Sequence, residues 1–105
     1  MLRIKEFADL CGCSVYTLRY YDQIDLLRPS IVNENSGYRF YEERQVKAFN
    51  EIKEFQEIGF NIMEIRSLKE KTNDEIGHMI LKKVDYIESL LDKALILKEK
   101  YIEGK

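Results

Sequence analysis

Residues 17–29 read TLRYYDQIDLLRP, with a guanidinium and two phenols adjacent at Arg19, Tyr20 and Tyr21, and the chain's only proline, Pro29, closing the stretch. Two readings compete. One is a helix with half-buried tyrosines and a solvated arginine. The other is a surface made for phosphates and base edges. The flanking sequence chooses between them.

Immediately upstream lie two short periodic stretches, Ile4-Phe7-Ala8-Cys11 and Val15-Leu18-Asp22, separated by Gly12. The first three positions of the former and the first two of the latter are apolar at helical spacing, as one buried helix face requires. Ser14 is a natural N-cap for the second helix, its hydroxyl accepting from a free backbone N–H. Two short helices around a glycine corner form a helix-turn-helix. With Val15 and Leu18 inward, a rotation of about 100° per residue puts Tyr16, Arg19, Tyr20 and Gln23 on the opposite side. Thr17 lies beside that stripe, and Tyr21 is borderline and reads as packed. Tyrosines and an arginine on a solvent face suit phosphates and base edges better than water alone.

Downstream, Asn33, Asn35, Ser36 and Gly37 are turn-formers between Ile31-Val32 and Tyr38-Arg39-Phe40-Tyr41. The pattern predicts a small β-hairpin, a wing after the helix-turn-helix, with Arg39 near its tip as a phosphate ligand. Glu42-Glu43 then favours a helix start, Val46, Phe49, Ile52 and Phe55 recur every third residue, and Gly59 ends that helix. Asn61 and Glu64 have capping-box spacing and open a short helix through Ile65 and Leu68. Residues 72–75 (TNDE) restart the chain with Asp74 as candidate N-cap, leading into a helix over roughly 75–103. Ile80, Val84, Ile87, Leu91, Ala94, Lys98 and Tyr101 follow alternating spacings of four and three, and Leu90 and Leu97 widen the stripe. This is a coiled-coil seam about three heptads long, expected to pair with a helix of a second subunit.

The composition, 45% hydrophobic and 34% charged, suits a folded helical chain rather than a disordered one. The formal net charge is −2, and residues 1–41 balance Arg3, Lys5, Arg19, Arg28 and Arg39 against Glu6, Asp9, Asp22, Asp25 and Glu34. Nucleic-acid binding must therefore rest on where charges sit, since their sum gives no support. Cys11-Gly12-Cys13 is not a C-x-x-C motif and reads as small apolar packing in the helical corner. His78 stands alone and reads as solvated, so no metal or cofactor site is expected. MLRIKEFADL has too many charges for a secretion signal and no apolar run approaches bilayer length, so a cytoplasmic chain is expected, without membrane contact. No paired carboxylates, nucleophile–base arrangement or phosphate-cradling glycine loop argues for an enzyme.

The order IKEFADLCGCSVYTLRYYDQIDLLRP, then NSGYRFY, then a helix ending EIGFNIMEI, then a long helix, resembles the MerR family of bacterial transcription regulators. The resemblance implies a mainly α fold: a winged helix-turn-helix over 1–73, then a dimerisation helix over 74–105 that forms an antiparallel coiled coil in a homodimer. It implies binding to double-stranded promoter DNA at a pseudo-palindromic site. The spacer between the −35 and −10 elements would be bent and untwisted, so that RNA polymerase is reached through the promoter. By motif position it puts Arg19 and Tyr20, with Tyr16 and Thr17, on the recognition helix and Tyr38 and Arg39 on the wing. Arg19 and Arg39 are then mainly phosphate anchors, and Tyr16 the candidate for sequence choice. Ile80, Val84, Ile87, Leu91, Ala94 and Tyr101 carry dimerisation. Most relatives continue into an effector-binding segment, whereas this sequence stops at Gly104-Lys105; it reads either as a naturally short regulator or as the front of a longer one. A small-molecule effector stays unidentified, with a weak lean toward the drug-responsive relatives. With no cysteine beyond Cys13, a thiolate metal sensor is not expected. Rival readings are an architectural or excision-type DNA-bending protein and a protein-interaction module.

Overall fold

The structure is a computed structural model that describes residues 1–102. It divides into two compact units, Met1–Ser67 and the segment from Leu68 onward.

The first unit opens with β1 (Leu2–Arg3), α1 (Ile4–Cys11) and α2 (Val15–Gln23). Gly12 closes α1 in the left-handed region (φ 72°), where a side chain would be strained, and its N–H caps the Ala8 and Asp9 carbonyls. Ser14 caps α2 as expected, its Oγ accepting from the Thr17 N–H at 3.0 Å. The hairpin follows as β2 (Ile31–Val32) and β3 (Arg39–Tyr41), joined through a turn in which Asn33 Oδ1 accepts from the Asn35 and Ser36 N–H groups. Gly37 adopts φ 75° there. The expected two-stranded wing is in fact three-stranded, in the order β1-β3-β2, because Leu2 and Arg3 pair with Tyr41 and Phe40. Two residues are too short to show alternation, which hides β1 in the sequence.

Helices α3 (Gln45–Glu57) and α4 (Ile62–Ser67) complete the unit. Asn61 and Glu64 form the expected reciprocal cap at 2.8 and 2.9 Å. The core gathers Phe7, Leu18, Tyr41 and Phe49, all fully buried or nearly so, with Tyr21, Leu26, Leu27, Ile52, Phe60 and Ile65 around them. Each such side chain contributes about 1.5–3 kcal/mol through removal from water. Phe7 and Tyr41 stack with ring centroids 4.4 Å apart.

In the second unit a short 3-10 turn (Leu68–Glu70) precedes α5 (Asn73–Ile102). The cap is Thr72 and not Asp74: Glu75 N–H donates to Thr72 Oγ1 at 3.1 Å, and Thr72 N–H to Glu75 Oε1 at 2.8 Å. Threonine followed three residues later by glutamate satisfies two orphan donors reciprocally, which Asp74 inside the first turn cannot do. That bond also holds the Glu75 carboxyl below the usual range. The seam residues Val84, Ile87, Leu91 and Tyr101 are all exposed, as are Leu81, Leu90, Leu95, Ile96 and Leu97. Residue 103, the expected end of this helix, lies outside the described residues. No helix among the described residues is long and apolar enough to cross a membrane.

Candidate nucleic-acid interface

The spacing of α2 decides what it shows. Leu18, Tyr21 and Asp22 point into the unit, which turns Tyr16, Arg19 and Tyr20 outward. Tyr16 is 80% exposed and Tyr20 41%, one turn apart on the same face. Thr17 is half-buried at the cap, its Oγ1 3.0 Å from Ser14 Oγ, so its hydroxyl is already engaged. Tyr21 packs against Phe49 with centroids 6.2 Å apart, and burial pushes its phenol pKa up.

The chain leaves α2 without reaching Pro29 as helix. Asp25 takes a left-handed conformation (φ 60°), which short polar side chains tolerate, and Leu26 and Leu27 turn back into the core. Gln45, at the first turn of α3, then ties both ends of the wing together. Its Nε2 donates to the Arg28 carbonyl at 2.8 Å, while its Oε1 accepts from Ser30 Oγ at 3.0 Å and Glu42 N–H at 2.8 Å. Nothing in the amino-acid pattern singles out Gln45 as a tie to the exit loop, because Arg28 and Ser30 lie 17 and 15 residues away.

On the wing, Tyr38 is exposed, with the Arg3 guanidinium 4.9 Å from its ring centroid, a cation–π contact made possible by β1. Arg39 stands in the ladder pair nearest the hairpin turn, but its side chain runs inward. It sits at the start of β3, paired across to Val32, and its Nε donates to Asp22 Oδ2 at 2.7 Å. The other oxygen, Oδ1, accepts from Arg28 Nε at 3.1 Å. Asp22 is thus a buried carboxylate shared by two guanidiniums, one from the exit loop and one from the wing. A carboxylate on a helix face otherwise built from Leu and Tyr is the signal that could have flagged it, since a charge there needs partners.

Asp22 also acts on its neighbours. Burial, and secondly the Asp22 carboxylate, push the Tyr41 phenol pKa up to about 12. Burial raises Cys11 to about 11, with Cys13 adding to it, so neither thiol is poised as a nucleophile. His78 Nδ1 donates to the Asp74 carbonyl at 2.8 Å, inside its own helix. Among the described residues no cluster of His, Cys, Asp or Glu could hold a metal ion.

The family profile described as MerR HTH family regulatory protein matches residues 2–72. The chain is 39% identical over 89 residues to the multidrug-efflux transporter 2 regulator of Bacillus subtilis (strain 168), covering 84% of this chain and 32% of that one. It is 33% identical over 116 residues to a mercuric resistance operon regulatory protein of Bacillus cereus, covering 98% and 87%. Among solved structures, the EcmrR–DNA complex within a transcription assembly superposes with a TM-score of 0.66 at 31% identity, over 94% of this chain and 40% of that one. The chain therefore spans about a third of the multidrug regulator's length but most of the mercuric regulator's. From the helix-turn-helix through the wing to the start of α5, this chain belongs to the MerR family of helix-turn-helix regulatory proteins.

Proposed function

We propose that the chain is a transcription regulator that binds a pseudo-palindromic promoter site as a homodimer and distorts the spacer between the −35 and −10 elements. The observation carrying this reading is the exposed Tyr16–Arg19–Tyr20 face of α2, held rigid by the Ser14 cap and tied to the wing through Asp22. Helix α2 enters the major groove, where Tyr16 reads base edges and Arg19 anchors phosphate. Tyr38 and Arg39 bring the wing to the backbone. The apolar seam of α5 pairs with that of a second copy, so two recognition helices address two half-sites. Contacts across both half-sites offset the cost of deforming the duplex, a few kcal/mol by elastic estimates. RNA polymerase is engaged through the reshaped promoter, as the transcription assembly around EcmrR suggests by likeness.

The test uses duplex DNA from upstream of the protein's own coding region. Footprinting is expected to protect two half-sites spaced by whole helical turns of about 10 bp. Fluorescence transfer between duplex ends should report bending, and in vitro transcription from that promoter should change. Absence of any protected site removes the DNA reading. Bending without a change in transcript levels transfers the protein to the architectural class.

A further inference from the structure

We propose that Asp22 is a positioning residue that holds Arg28 and Arg39 as a paired phosphate clamp, making Arg28 a further backbone anchor of the DNA face beside Arg19 and Arg39. The inference rests on the DNA-binding reading above and deepens it.

Each arginine is held at two points, one on its backbone and one on its guanidinium. Arg28 is held by its carbonyl, which accepts from Gln45 Nε2, and by its Nε on Asp22 Oδ1. Arg39 is held by strand pairing to Val32 and by its Nε on Asp22 Oδ2. Both arginines spend only Nε–H on the carboxylate, and a guanidinium has four further N–H donors. The Asp22 side chain is 7% exposed, while those of Arg28 and Arg39 are 63% and 37% exposed. One buried negative charge therefore organises two accessible positive groups and leaves a net positive charge for a ligand. Arg28 Nη1 also lies 4.0 Å from Asp25 Oδ1, an exposed and screened contact that a phosphate can displace. The freedom of two long side chains is thus restricted before DNA arrives, and less is lost on binding. The same arrangement shows how a segment of neutral overall charge can serve DNA. One of its acids faces inward as an organiser, and the guanidiniums it holds face out.

The test measures affinity against salt for the upstream duplex and for a random-sequence duplex. Arg28→Ala is expected to weaken binding to both, about tenfold, and to reduce the slope of log affinity against log salt by about one. Arg28→Lys should not restore the affinity, because an ammonium cannot keep the Nε contact while presenting a planar fork. Asp22→Asn gives the decisive sign. It removes a negative charge, so attraction by charge alone tightens binding, whereas loss of positioning weakens it about fivefold. Circular dichroism and thermal melting establish that this variant is folded; if it is not, the two Arg28 variants decide. An unchanged salt slope in Arg28→Ala, or equal or tighter binding by folded Asp22→Asn, overturns the inference. Wild-type protein that binds neither duplex instead sinks the DNA reading itself, a separate result.

Discussion

Tyr41 carries the sharpest consequence at the scale of single residues. Its ring stacks on Phe7 in the centre of the core, and its hydroxyl is buried with no hydrogen-bond partner among the described residues. Tyr41→Phe keeps the stack and removes a desolvated polar atom, so calorimetry should find the variant as stable as wild type or more so, by about 1 kcal/mol. A clear fall in melting temperature would mean that the hydroxyl is satisfied. The raised pKa values set the pH response. Tyr41 stays protonated in the fold to about pH 12 and Cys11 to about pH 11, while the unfolded chain loses these protons near 10 and 9. A group whose folded pKa is raised contributes stability below its unfolded pKa and loses it as pH rises through the folded one. Stability should therefore be intact at pH 8 and fall between about pH 9 and 12, less steeply in Tyr41→Phe. Melting across that range, with phenolate absorbance as the marker, checks both statements.

Among the elements, α2 depends most on a local device. Its nine residues are too few to be stable alone, so the Ser14 cap and the inward Leu18 and Tyr21 hold it. Ser14→Ala should cost about 1 kcal/mol and should also free Thr17, whose hydroxyl bonds to Ser14. Urea unfolding should show the loss at an unchanged m-value, and a variant with wild-type stability would remove the cap from the account. The wing depends less on local sequence. Its strands hold two and three residues, and it is secured by β1, the Gln45 bond to Arg28 and the Asp22 clasp, contacts that close over long stretches of chain. This is why the hairpin was foreseeable from its turn residues, while the third strand and the inward course of Arg39 were not.

For the whole molecule, the decisive surface is α5. Val84, Ile87, Leu91 and Tyr101 recur at seam spacing on a thirty-residue helix and are exposed in the single chain. Apolar residues so arranged call for a facing helix. Leu91→Asp places an uncompensated charge in that seam, and sedimentation should find a monomer where the proposed dimer is expected of the wild type. Binding to a duplex carrying both half-sites should collapse, since one half-site supplies little affinity. Tight binding by a demonstrated monomer would refute the dimer architecture.

The sequence by itself determined the α1–turn–α2 unit, the Ser14 and Asn61 caps, the hairpin turn, the core face of α3 and the apolar stripe of α5. These follow from helical periodicity and from caps that join residues three apart, so neighbours in the chain contain the whole signal. It also marked Tyr16, Arg19 and Tyr20 as outward, because the inward positions of one short helix dictate the outward ones. Only the tertiary structure decided that Arg39 turns from the wing onto Asp22, that Arg28 joins it there, and that Arg3 lies over Tyr38. Those contacts close over separations of 17, 6 and 35 residues. Charge partners at such distances are chosen by where the backbone brings them, and local pattern holds no record of that choice.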